Sequence, residues 1–115
     1  MSYRQNAAPD DVRLAQLDEA VKRNASDHES RAQLAMLQLE TGDLDQAQKN
    51  FRILLLHALS GTSISRADVF HKLAVICDKR GERDKAIAMA KSALELDAEH
   101  AGAKTLIALL SNAGQ

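Results

Sequence analysis

Apolar residues recur at three- and four-residue spacing along most of the chain, and no segment alternates as a half-buried strand requires. Leu14, Leu17, Ala20 and Val21 form the first such run. Pro9-Asp10-Asp11 opens it, since Pro suits a first helical turn and acids complement the positive helix end. "NASD" closes it, and a second helix starts near Asp27. This one carries Ala32, Leu34, Ala35, Leu37 and Leu39 and stops at Gly42, which accepts the left-handed cap conformation. Asp43, followed three residues later by Gln46, has the spacing of a capping box and opens a third helix through Ala47, Phe51, Leu54 and Leu55. After the loop "SGTSIS" (60–65), Ser65 and Asp68 cap a fourth helix, lined by Phe70, Leu73, Ala74 and Cys77 up to Gly81. Ala86, Ala90, Ala93 and Leu94 mark a fifth helix; Leu106, Ile107, Leu109 and Leu110 mark a last one over about 100–112. The pattern predicts six antiparallel helices with short joints and no sheet.

The pattern also repeats. A shift of 39 residues carries Leu34-Ala35 onto Leu73-Ala74, Gly42 onto Gly81, Asp45 onto Asp84, Ala47 onto Ala86 and Leu55 onto Leu94. A further 34 residues carries Leu73-Ala74 onto Ile107-Ala108, and the five-residue excess of the first interval fits an insertion at "SGTSIS". At the front, Leu17, Ala20, Val21 and Ala25 fall in register with Ala90, Ala93, Leu94 and Ala98. Small residues at Ala35, Ala47, Ala74 and Ala86 let paired helices approach closely, with Leu34 and Leu73 filling the gaps beside them.

This spacing resembles the tetratricopeptide repeat family, whose helix pairs recur about every 34 residues. The resemblance covers about residues 12–112 and is most specific in "FHKLAVICDKRGERDKAIAMAKSALELDAEH". It implies an all-α, right-handed α-solenoid of antiparallel helix pairs, in which stacking is obligatory because one pair cannot bury its apolar face. The organisation expected is a flexible N-terminus (1–10) and a single domain over 11–112. That domain comprises a half-repeat helix (11–24), repeat one (28–59), repeat two (65–98) and a terminal capping helix (100–112). The half-repeat at the front suggests a piece of a longer array, or a small adaptor capped by its first helix. Three positions depart from the family pattern: Arg31 stands where a large apolar residue is usual, Gln38 where Tyr or Leu is expected, and Ala98 where Pro is customary.

Composition narrows the function classes. Apolar residues make up 45% of the chain and aromatics only 3%, with a single Pro, which favours helices. A formal charge of −1 provides no basic footprint for nucleic acid. No apolar run approaches the ~20 residues that span a bilayer. "MSYRQNAAPDD" has no apolar signal core, and Cys77 stands alone, so a reducing cytoplasm is the default location.

Chemistry finds no residues to carry it. His28 and His100 flank helix starts, His57 lies near a helix end, and His71 and Cys77 fall on different faces of one helix, so structural or solvated roles are expected for all four imidazoles. Cys77 occupies a family core position and reads as a buried thiol. Nucleophile–base sets, a P-loop and a dinucleotide fingerprint are missing. No catalytic residue, cofactor or metal is expected, and the chain reads as a non-enzyme.

In the resembled family, the first helix of each pair lines a concave groove that takes extended peptides or helices of partner proteins. By register, that groove would comprise Glu29, Ala32, Met36, Leu39 and Glu40 from the first repeat. Asp68, His71, Val75, Asp78 and Lys79 would come from the second, and Thr105 and Leu109 from the terminal helix. Its floor is apolar and its edges mostly acidic, so an apolar or mildly basic segment is the expected partner. Some relatives clasp a chaperone's C-terminal carboxylate with Lys and Asn; Ala32 and Met36 stand where the first repeat would need them, and His71 and Val75 supply no substitute. The competing reading is a self-assembling structural module, because the last helix has more apolar residues than one face needs and could offer Leu106 or Leu110 to another copy.

Overall fold

The computed structural model describes residues 9–112, and among these every regular element is an α-helix. The order is α1 (Pro9–Arg23), α2 (His28–Glu40), α3 (Leu44–Leu54), α4 (Arg66–Lys79), α5 (Arg83–Leu96) and α6 (Ala101–Asn112). The expected flexible N-terminus lies outside the described residues up to position 8, and Pro9 and Asp10 already belong to α1. The chain divides at Leu54/Leu55 into two compact units, α1–α3 and α4–α6.

The duplicated glycine turn has a single structural cause. After α2, Gly42 takes φ +90°, its N–H reaches the Leu39 carbonyl, and the Asp43 N–H reaches back to Gln38. After α4, Gly81 takes φ +78°, its N–H reaches Asp78, and the Glu82 N–H reaches Cys77. Both are Schellman caps, which satisfy the last carbonyls and require a left-handed residue at this one place. The helices that follow start differently. Asp43 Oδ1 accepts from the Gln46 N–H at 3.2 Å, whereas its counterpart Glu82 makes no side-chain cap.

In the first unit α2 packs against both α1 and α3. Asp27 caps α2 by accepting from the Ser30 N–H at 3.0 Å and the Ser30 hydroxyl at 2.7 Å. Leu17, Leu34, Ala35, Ala47, Phe51 and Leu54 are buried, each large side chain contributing about 1.5–3 kcal/mol. Two polar residues are buried with them. Arg31 Nη1 donates to Asn50 Oδ1 at 2.8 Å, and Asn50 Nδ2 donates to Gln38 Oε1 at 2.8 Å. The two departures of the first repeat from the apolar pattern are therefore one feature: Arg31 and Gln38 replace hydrophobic filling with a polar chain bridged by Asn50.

In the second unit α4 packs on α5, and α6 packs on both. Its core is built from Ala67, Ala74, Cys77, Ala86, Ala90, Ala93 and Ala103 with Leu106 and Leu110, so the backbones approach through small side chains. The Ser65–Asp68 capping box opens α4, with both reciprocal bonds at 3.0 Å. Arg83 Nε donates to the Leu110 carbonyl at 2.8 Å, placing a cation at the electronegative end of α6.

Candidate interaction surfaces

Exposure sorts the expected groove residues into three groups. On α2, Glu29 and Met36 are half-buried and Glu40 is exposed, but Ala32 and Leu39 are buried, at 0% and 8% exposure. These two are corrections: α2 has a helix on either side within its unit, and its small and leucine positions serve packing. On α4, Asp68, His71 and Val75 are half-buried, while Asp78 and Lys79 are open. On α6, Thr105 and Leu109 are both open, and Leu109 is 63% exposed.

The self-association residues are also corrected. Leu106 and Leu110 belong to the core of the second unit, packed with Ala90, Ala93 and Ala103. The helix turns those two inward and Leu109 outward, which follows from their spacing on a 3.6-residue period.

The sequence placed His100 among unremarkable helix-flanking residues, whereas the structure makes it the centre of a polar cluster. Its Nδ1 accepts from the Ala103 N–H at 3.1 Å, capping α6. In the neutral ring the proton then resides on Nε2, which donates to Asp68 Oδ1 at 2.8 Å. Asp68 Oδ2 accepts from the Ser65 N–H. One carboxylate thus joins the start of α4 to the start of α6. Burial pushes the Asp68 carboxyl up, but hydrogen bonds from the Ser65 backbone, from His100 and from the Ser65 side chain outweigh it and hold Asp68 below the ordinary carboxylate range. Both nitrogens of His100 are engaged, so the ring has no free lone pair with which to take a proton from a substrate.

His71 lies beside this cluster, its ring centroid 5.0 Å from that of His100 with the planes tilted by 54°. Gly102 passes directly over it: a Cβ there would fall 2.6 Å from His71 Cε1. Burial, Lys72 and His100 lower the His71 pKa below the ordinary imidazole value, against a smaller opposing pull from Asp68. The signal that could have revealed this joint was the pair His100 and Gly102, which stand immediately before α6 and within its first turn. Among the described residues no group of three or more His, Cys, Asp or Glu is placed to hold a metal ion. No helix among them is long and apolar enough to cross a membrane.

A search of curated proteins returns no match to this sequence. The tetratricopeptide repeat family model matches residues 27–99, from the cap of α2 to the turn before α6. The match spans both glycine-turn helix pairs, in each of which the first helix ends in the same Schellman cap, and the chain belongs to the tetratricopeptide repeat family.

Proposed function

We propose that this chain is a non-catalytic adaptor or scaffold that binds a segment of another protein through the outer sides of its first-of-pair helices. Members of this family generally mediate protein–protein interaction. The observation that supports the finer reading is Leu109. It is 63% exposed on a helix whose neighbouring leucines, Leu106 and Leu110, are buried, and it follows Thr105 by one turn on the same open side. An apolar side chain held outward on an ordered helix is surface available for a partner. In the second unit the binding residues are Val75, Asp78 and Lys79 on α4 and Thr105 and Leu109 on α6. In the first unit they are Glu29, Met36 and Glu40 on α2. The segment bound is apolar or mildly basic, matched to apolar side chains beside Glu29, Glu40 and Asp78. Self-assembly is the weaker reading, since its named leucines are core.

Photo-crosslinking tests this. A photoreactive amino acid placed at position 36, 75 or 109 should capture a partner protein, whereas one at exposed Gln46 or Glu95 should not. Leu109→Glu should weaken the same capture without altering the helical spectrum. Capture only from the control positions, or capture untouched by Leu109→Glu and Met36→Glu together, would overturn the assignment.

A further inference from the structure

Three observations converge on the seam between α4 and α6. A Cβ at position 102 would lie 2.6 Å from Cε1, 2.8 Å from Nε2 and 3.0 Å from Nδ1 of His71, so the first turn of α6 rests on the imidazole ring. That turn is the electropositive end of the helix, where backbone N–H groups lack intrahelical partners. One of them, from Ala103, is satisfied only by the neutral form of His100, at Nδ1. The two rings stand 5.0 Å apart.

A proton on His71 is therefore set against a helix N-terminus and beside a second imidazole. The groups acting on His71 are Lys72 and Asp68 from α4 and His100 from the head of α6, and α5 contributes none of them. Lys72 and His100 oppose the charge. Asp68 favours it, but its two oxygens are already committed to His100 and to the Ser65 N–H. A proton on His100 has a mixed effect, since it strengthens the Asp68 contact while removing the acceptor that caps Ala103. His71 is the group whose protonation works in one direction.

We propose that α6 is an acid-sensitive cover: protonation of His71 lifts its first turn from α4 and opens the alanine-rich core that Ala103, Leu106 and Leu110 close. The linkage has a definite sign. A histidine that titrates lower in the fold than in the unfolded chain contributes stability that is complete above the unfolded pKa, about 6.5. That contribution declines as pH falls towards the folded value. Opening then takes up one proton, and within that window it becomes easier by up to about tenfold per pH unit.

The test is amide hydrogen exchange on the full chain, read as protection factors between about pH 7.5 and about pH 5.5. Protection in α6 should fall by up to about tenfold per unit, and His71→Gln, which keeps a polar side chain but cannot titrate, should abolish the fall. The His71 Cε1 proton resonance, followed by NMR in the wild-type chain, should titrate below the ordinary imidazole midpoint. Unchanged α6 protection in the wild type, or an equal fall in His71→Gln, would overturn the proposal. Should His71→Gln not fold, the resonance decides: a midpoint at or above the ordinary value refutes it.

Discussion

Gly102→Ala distinguishes the fit of α6 on His71 from the ordinary preferences of a helix. Residue 102 is the second residue of α6, and replacing Gly by Ala in a helix interior contributes about 1 kcal/mol of stability, less in a first turn. Here the new methyl would sit 2.6 Å and 2.8 Å from two ring atoms of His71, well inside the ~3.5–4.0 Å of a relaxed contact. The ring is half-buried and must move, and overpacking of this kind costs about 1–3 kcal/mol. The net expectation is a loss of about 1 kcal/mol. In a His71→Ala background the obstruction is gone, and the same substitution should become neutral or stabilising by up to about 1 kcal/mol. Gly81→Ala serves as the contrast. A Cβ there meets nothing within 4 Å, but φ is +78°, so its cost of about 1–2 kcal/mol is backbone strain and should not depend on His71. Urea unfolding of the four proteins of the cycle at neutral pH, followed by circular dichroism, supplies the coupling energy. Equal effects of Gly102→Ala in both backgrounds, within about 0.5 kcal/mol, would show that α6 does not rest on the ring.

The other expectations each isolate one contact. Asn50→Leu should cost about 3 kcal/mol, because it strands the buried Arg31 guanidinium, whose Nε already lacks a hydrogen-bond partner. The triple Arg31→Leu/Gln38→Leu/Asn50→Leu should recover much of that loss in urea midpoint, and an additive triple would refute the network. Leu110→Glu should destabilise the second unit by roughly 3–5 kcal/mol by placing a carboxylate in its core; full α6 amide protection in that variant would contradict the burial assigned to Leu110. Leu73→Ala, at a position 4% exposed, should cost roughly 2–5 kcal/mol of unfolding free energy. Asp68, held below the ordinary carboxylate range, supports the fold above about pH 4, and that support should disappear as pH falls further. Asp68→Asn should flatten this acid limb of the stability profile.

The helices were legible because their signals are local. Gly42, Gly81, Asp27 and the Ser65–Asp68 pair each fix an end through bonds to residues within five positions, and the 39-residue shift states the pairing without a structure. The expected partner-binding positions could be read only as register. Register assigns a helix face but not the depth of a side chain on it, so Ala32 and Leu39 were grouped with Met36 although the flanking helices bury them. The same limit misplaced Leu106 and Leu110. Four large apolar residues in five positions must include one that faces outward, and that one is Leu109.

What position-by-position comparison misses most is compensation. Arg31 and Gln38 each count against the repeat when judged alone, and Asn50, twelve residues beyond Gln38, carries no warning at all. Together they close a hydrogen-bonded chain, buried at Arg31 and Asn50 and half-buried at Gln38, that stands at the positions of the missing hydrophobic residues. The second unit meets the same requirement differently, through alanines that bring the helices close and a glycine that admits the His71 ring. In the first unit the helix pair is positioned by directional bonds, which tolerate change in volume but not loss of one member. In the second it is positioned by close fit, where a single added methyl is felt. The two units therefore share one backbone turn and differ in what holds the helices in register, and substitutions at equivalent positions should not have equivalent effects.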